Sequence, residues 1–256
     1  MDHRPPNTQS CRRRRLLLLL VILLSATLIA GYRGLRSVAG VIIRRPPNEA
    51  LLRWFREPSA RAILSTGFAA PCPGYPFLTP SAGLVGGLPW NAAYDAYDIF
   101  HPHPGIDVFG DGPEGTVPVY AAYDGLLTRE EDWVATVIIR HDDPLQPGRV
   151  IWTYYTHMAS VDGRRSYIVD RFPPGVAGLP VRQGELLGYQ GSYNGGPGAR
   201  PIGMHLHFSI VRSDALGHYL NEAVFANTLD PTPYLGLKLN DPSSGDFPLR
   251  CLPPPP

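Results

Sequence analysis

A chain of 256 residues with 44% hydrophobic content is long enough to bury one good core, while 27 glycines and 29 prolines exclude an architecture of long helices. The formal net charge of +1 hides an asymmetry: five of the 23 basic and one of the 22 acidic residues precede Tyr32, leaving 18 basic against 21 acidic, or −3, in the rest. The body of the chain is therefore no general polyanion binder, and no nucleic-acid partner is expected.

Residues 1–15 form a basic tail that ends in Arg12, Arg13, Arg14 and Arg15, and residues 16–30 (LLLLLVILLSATLIA) carry no charge. With Gly31 and Tyr32 the apolar run reaches 17 residues, about 25 Å as a helix, at the short edge of a membrane span. The arginines hold the N-terminus in the cytoplasm, which places everything after Tyr32 outside. Cleavage after Ala30 would put Leu28 where a small side chain is wanted, and the better site at Ser37-Val38-Ala39 is distant. The reading is an uncleaved signal anchor over residues 16–32, with a cleaved signal peptide as the alternative.

Residues 33–90 read as a stem and lead-in. Pro46-Pro47-Asn48-Glu49 can cap a short helix whose Leu51, Leu52 and Phe55 share a face, and Pro58 ends it. The Pro/Gly density of residues 71–89 predicts extended, irregular chain. Outside the cytoplasm, Cys72 and Cys251 can form a bridge that fastens the ends of the folded body, or stay as two buried thiols; Cys11 lies on the cytoplasmic side. Residues 241–256 form a Pro-rich tail with no core to join.

Between residues 117 and 211 the pattern changes to short β runs. Residues 117–122 precede Asp124-Gly125, a hairpin signal. Residues 135–140 (ATVIIR) and 150–157 (VIWTYYTH) flank a turn-rich stretch and predict an antiparallel pair. Residues 185–189 and 205–211 predict two more strands, joined by a glycine-rich loop. Helical periodicity never persists beyond a turn or two, so the body is mostly antiparallel β.

The chemistry-bearing residues lie in and around these strands. His205 and His207, at i and i+2 in a strand, must share a face. Two charged imidazoles side by side repel, which a metal ion or a reaction using the pair relieves; an exposed face where both meet water is the plain alternative. Upstream, His101-Pro102-His103-Pro104-Gly105-Ile106-Asp107 adds two imidazoles and a carboxylate, and Pro104-Gly105 bends the chain so that His103 and Asp107 can converge. Two histidine nitrogens and a carboxylate suffice for zinc with a fourth position open, the arrangement of a catalytic site. His157 ends a strand whose antiparallel neighbour can bring it beside His205. A cupin-type barrel would make His101 a ligand and requires a glutamate a few residues on, where only Asp107 stands. His141, beside Asp142 at a strand end, reads as exposed, and Glu130-Glu131-Asp132 as a solvated hairpin tip. Tyr155, Tyr189 and Tyr193 read either as groove walls or as packing.

These motifs resemble those of the lysostaphin-like, or LytM-type, zinc metalloendopeptidases of bacterial cell walls. The HxGxD element is His103-Pro104-Gly105-Ile106-Asp107, and the HxH element is His205-Leu206-His207. Residues 116–125 (TVPVYAAYDG), Tyr155-Thr156-His157-Met158 and residues 181–188 (VRQGELLG) are similar to the elements between them. The resemblance spans residues 103–234. It departs at Met204, where proline is usual, at Ser209, where an acidic residue is common, and in a longer segment at 162–179.

What the resemblance implies is a compact, mainly antiparallel β domain over residues 91–240 with a long substrate groove, of LytM-type, barrel-sandwich-like build, behind an N-terminal transmembrane or signal helix. It implies one Zn2+ held by His103, Asp107 and His207, with His157 and His205 as the catalytic pair. It implies a peptidoglycan peptide as substrate, cut by a single-pass enzyme of the bacterial cell membrane whose catalytic domain is extracytoplasmic, or secreted if the signal is cleaved. A non-catalytic wall-binding or amidase-activating domain is the second reading, though every ligand position is filled.

Overall fold

The computed structural model describes residues 24, 25, 27, 72–81, 84–86, 102–110, 112–196, 199, 202–239 and 249–255. The apolar run at 16–32, the helix expected after Pro47, and His101 lie outside the described residues, apart from Leu24, Ser25 and Thr27, which are helical. Among the described residues no helix is long and apolar enough to cross a membrane.

The body is built on antiparallel strands, as the short β runs predict. Twelve strands are described: β1 (Leu84–Gly86), β2 (Ile106–Gly110), β3 (Pro118–Tyr120), β4 (Gly125–Thr128), β5 (Val137–Asp142), β6 (Val150–Thr156), β7 (Leu179–Val181), β8 (Leu186–Tyr189), β9 (Leu206–Arg212), β10 (Thr228–Leu229), β11 (Leu237–Leu239) and β12 (Leu249–Cys251). One four-residue helix, α1 (Thr232–Leu235), ends at Gly236 in the left-handed conformation. The main sheet runs β1-β2-β9-β6-β5-β4-β7, with β10 also paired to β9; β3 pairs β8 and β11 pairs β12 in two small sheets.

The β-branched and aromatic runs of β5 (VIIRHD) and β6 (VIWTYYT) suit a pleated surface covered on both sides. Their turn is fixed by Asp143, whose Oδ1 accepts from the Leu145 amide at 2.8 Å while Arg149 Nε donates to its Oδ2 at 2.6 Å. One face of the sheet carries Val137, Ile139, Ile151, Tyr155, Leu206, Phe208 and Ile210, which form a single core with Val119 of β3, Leu187 of β8, Phe77 and Tyr234. The opposite face carries Ile138, Trp152 and Val211, flanked by Trp133, Tyr154 and Tyr219.

Several expectations change on this frame. Asp124-Gly125 turns no hairpin, because β3 pairs with β8 and β4 with β5 and β7. Gly125 instead lets the chain pass Arg140, whose carbonyl oxygen lies 2.3 Å from where a Cβ would sit. Tyr155 is fully buried, stacked edge-on against Phe208 at 5.2 Å, so it packs the core and lines no groove. His141 is buried rather than exposed: Nδ1 donates to the Asp124 carbonyl at 2.7 Å, and Nε2 lies 2.7 Å from the Thr153 hydroxyl. Glu130 accepts a hydrogen bond from the Tyr219 hydroxyl at 2.8 Å, so the acidic tip is partly engaged.

The residues before β2 are part of this fabric. Residues 72–81 are irregular, as the proline content predicts, but turn at Pro73-Gly74 and bend instead of running extended; Phe77 is completely buried, and its amide donates to the Tyr234 carbonyl at 3.0 Å. Cys72 and Cys251 form a disulfide. The proline tail docks beside it, where the Tyr75 hydroxyl donates to the Pro253 carbonyl at 2.8 Å.

Candidate metal centre

The site is assembled by the register of three strands. Strand β9 lies between β2 and β6, with His207 directly opposite Asp107 on one side and Thr156 on the other. Because strand side chains alternate, His205, His207 and Ser209 share the outer face while Leu206, Phe208 and Ile210 enter the core. A slip of one residue would exchange the two sets, so the apolar core fixes where the imidazoles point. His103 is delivered by the bend at Pro104-Gly105. Gly105 is required there: a Cβ would lie 2.3 Å from the Phe208 carbonyl oxygen and 2.9 Å from Ser209 Cβ.

The outcome is a triangle of donors. His103 Nε2 lies 3.1 Å from Asp107 Oδ1 and 3.0 Å from His207 Nδ1, and His207 Nδ1 lies 2.9 Å from Asp107 Oδ1. All three residues are buried. They form a group able to hold a metal ion among the described residues. A tetrahedral zinc with ligands at about 2.0–2.1 Å has its donors about 3.3 Å apart, so these residues need only slight adjustment to fit one.

Electrostatics favour a cation at the same place. Burial alone would raise the Asp107 carboxyl, but the imidazoles of His205, His103 and His207 outweigh it and hold the group well below the usual carboxylate range. Burial would lower the His207 imidazole, but the carboxylates of Glu222 and Asp107 outweigh it and push it up to about 10. Without a metal, His207 therefore keeps a proton between two carboxylates; a divalent cation would displace that proton.

His157 and His205 stand beside the triangle. Their ring centroids are 4.6 Å apart, and that of His157 is 6.0 Å from that of His207. The carbonyls of Tyr193 and Gly203 can only accept, so His157 Nδ1 donates to the first at 2.7 Å and His205 Nδ1 donates to the second at 2.6 Å. Each ring therefore carries its proton on Nδ1 and keeps the Nε2 lone pair. The His205 Nε2 is 3.6 Å from Asp107 Oδ1. Burial pushes His157 down to about 3, helped by the charges of His205 and His207, and burial also lowers His205. Among the described residues His157 is the one non-glycine with positive φ, at 72°. A left-handed residue of this kind costs on the order of 1 kcal/mol or more and is characteristic of functional sites.

All five candidate residues from the sequence come together. Two participants were not expected. Glu222 Oε1 accepts from His207 Nε2 at 2.8 Å and from the Ser209 hydroxyl at 2.5 Å. Glu222 sits 15 residues beyond His207, in a stretch whose composition marks it only as loop. Tyr193, weighed as a groove wall, acts through its backbone carbonyl, which no side-chain pattern announces.

No family model matches the chain, and no curated protein does. Solved structures do resemble it. Csd3 of Helicobacter pylori is 18% identical with a TM-score of 0.39, over 63% of this chain and 35% of that one. Lysostaphin of Staphylococcus simulans, an antimicrobial peptidase, is 21% identical with a TM-score of 0.37, over 59% of this chain and 49% of that one. A zinc-containing peptidase of Vibrio cholerae is 19% identical with a TM-score of 0.33, over 61% of this chain and 39% of that one. The matched part thus spans between about a third and a half of each of these proteins.

Proposed function

We propose that the protein is a zinc-dependent endopeptidase that hydrolyses peptide bonds in peptidoglycan stem peptides or crossbridges. The observation that carries this reading is the donor triangle of His103, Asp107 and His207 with two further imidazoles against it, both holding an unprotonated Nε2.

A Zn2+ held by these three residues supplies Lewis acidity, polarising a carbonyl and bringing the pKa of water toward neutrality. The chain's own part is proton movement and charge stabilisation. The depressed His157 and His205 are neutral at ordinary pH, so either Nε2 can take a proton from the attacking water and return it to the departing amine. Once protonated, the same ring donates to the oxyanion. Their Nδ1 bonds to Tyr193 and Gly203 hold both rings in orientation through the cycle. Two carboxylates are already committed, Asp107 to the donor triangle and Glu222 to His207, which leaves the histidines as the acid–base groups.

The peptidoglycan substrate is supported by the motif resemblance. The extracytoplasmic, membrane-tethered placement is supported by the apolar run at 16–30 behind four arginines. The full chain in mild detergent should release new amino termini from purified cell walls, lose this with EDTA, regain it with zinc, and lose it in His205→Ala. Digestion undiminished by both EDTA and the substitution would refute the reading.

A further inference from the structure

His207 offers Nδ1 to the donor triangle, so its other ring nitrogen must carry the proton and needs an acceptor, since the residue is only 5% exposed. That acceptor is Glu222, at 2.8 Å. Its carboxylate is itself fixed: the fully buried Ser209 hydroxyl, two residues along β9 on the same face as His207, donates to the same oxygen at 2.5 Å.

The loop that carries Glu222 is tied down on both sides. Before it, the Leu220 amide donates to the Arg212 carbonyl at 3.0 Å; after it, Thr228 pairs with Val211 as β10. Asn221 closes the turn between, with its Oδ1 accepting from the Ala223 amide at 2.9 Å and its carbonyl accepting from the Asn227 side chain at 2.8 Å. The loop thus leaves β9, lays one carboxylate over it and returns to it.

We propose that Glu222 is a positioning residue for the metal centre. It holds His207 in the tautomer and ring orientation that present Nδ1 to a cation, with Ser209 holding Glu222 in turn. The inference rests on the zinc reading above. Charge supports it independently of orientation: a divalent cation with Asp107 alone leaves a buried excess of one positive charge, which the Glu222 carboxylate neutralises. Outer carboxylates of this kind set ligand basicity and geometry, and removing one typically weakens metal binding 10–100-fold.

Competition of the full-length protein with a chromophoric chelator for Zn2+ tests this without reference to activity. Glu222→Ala should weaken zinc binding about 10–100-fold, while the zinc-free protein keeps its cooperative unfolding transition. Glu222→Gln preserves the shape and an acceptor oxygen but loses the charge, and should fall between. If Glu222→Ala does not fold, Glu222→Gln decides alone: a weakening of threefold or more supports the role, and unchanged affinity overturns it. If Glu222→Ala folds and binds zinc within threefold of the wild type, the inference is overturned while the zinc reading stands. A wild-type chain that binds no zinc overturns both.

Discussion

Asp107 and His207 face each other across β2 and β9, with their Cα positions in register and Asp107 Oδ1 2.9 Å from His207 Nδ1. The two residues are 100 positions apart in the chain. What unites them is the apolar alternation of both strands: Ile106 and Val108 on one side and Leu206 and Phe208 on the other bury the inner face and leave Asp107 and His207 on the outer one. The donor triangle is in this sense a by-product of core packing, and the following expectations separate its chemistry from its framework.

His157→Ala and His205→Ala should each retain zinc and lose about 10²–10⁴-fold in kcat on a peptide substrate, the usual contribution of a positioned acid or base. The double variant should be little worse than the poorer single one, because the two rings act on one proton path. Loss of zinc from either variant would make that histidine a ligand and contradict the assignment.

His141 predicts an acid limb of stability. Burial lowers it to about 4 from an ordinary value of 6.5, against the opposing pull of the Asp124 carbonyl and neighbouring aspartates. The folded protein therefore binds fewer protons than the unfolded chain between these values, and stability falls as pH drops from about 6.5 to about 4, then levels off with respect to this group. The full loss is about 3 kcal/mol. Denaturant midpoints of the zinc-free protein should show this slope, and His141→Gln should flatten it. A slope that persists unchanged in that variant would assign the acid sensitivity elsewhere.

The Cys72–Cys251 disulfide closes a loop of 179 residues. Reducing it, or replacing both cysteines with serine, should lower stability by about 2–5 kcal/mol, seen as a fall in Tm. Zinc affinity should be unchanged, since neither cysteine touches the donor triangle. A Tm insensitive to reductant would show that the bridge does not form in solution.

The parts of the site that the sequence discloses are those whose partners lie within a few residues. His103 and Asp107 are brought together by a local bend, and His205 and His207 by strand alternation, so the amino-acid order alone places each pair. The meeting of the two pairs depends on which strand neighbours which, and there the motif resemblance supplied what local pattern lacks. Pairing of β3 with β8 instead of β4 was hidden for the same reason: Asp-Gly is a turn signal, but the tertiary packing of Gly125 against Arg140 competes with it and wins. His141 read as exposed because an Asp follows it; its burial depends on Thr153 and the rings of Phe77 and Tyr123, all distant in sequence. Glu222 was invisible because its role depends on a loop folding back over β9.

The most direct measurement is the zinc content of the purified, zinc-reconstituted full chain and of Asp107→Ala, determined by elemental mass spectrometry after exhaustive dialysis. One zinc per wild-type chain and almost none in the variant is the expected result. Zinc retained in full by Asp107→Ala, or none in the wild type, would contradict a centre built from His103, Asp107 and His207.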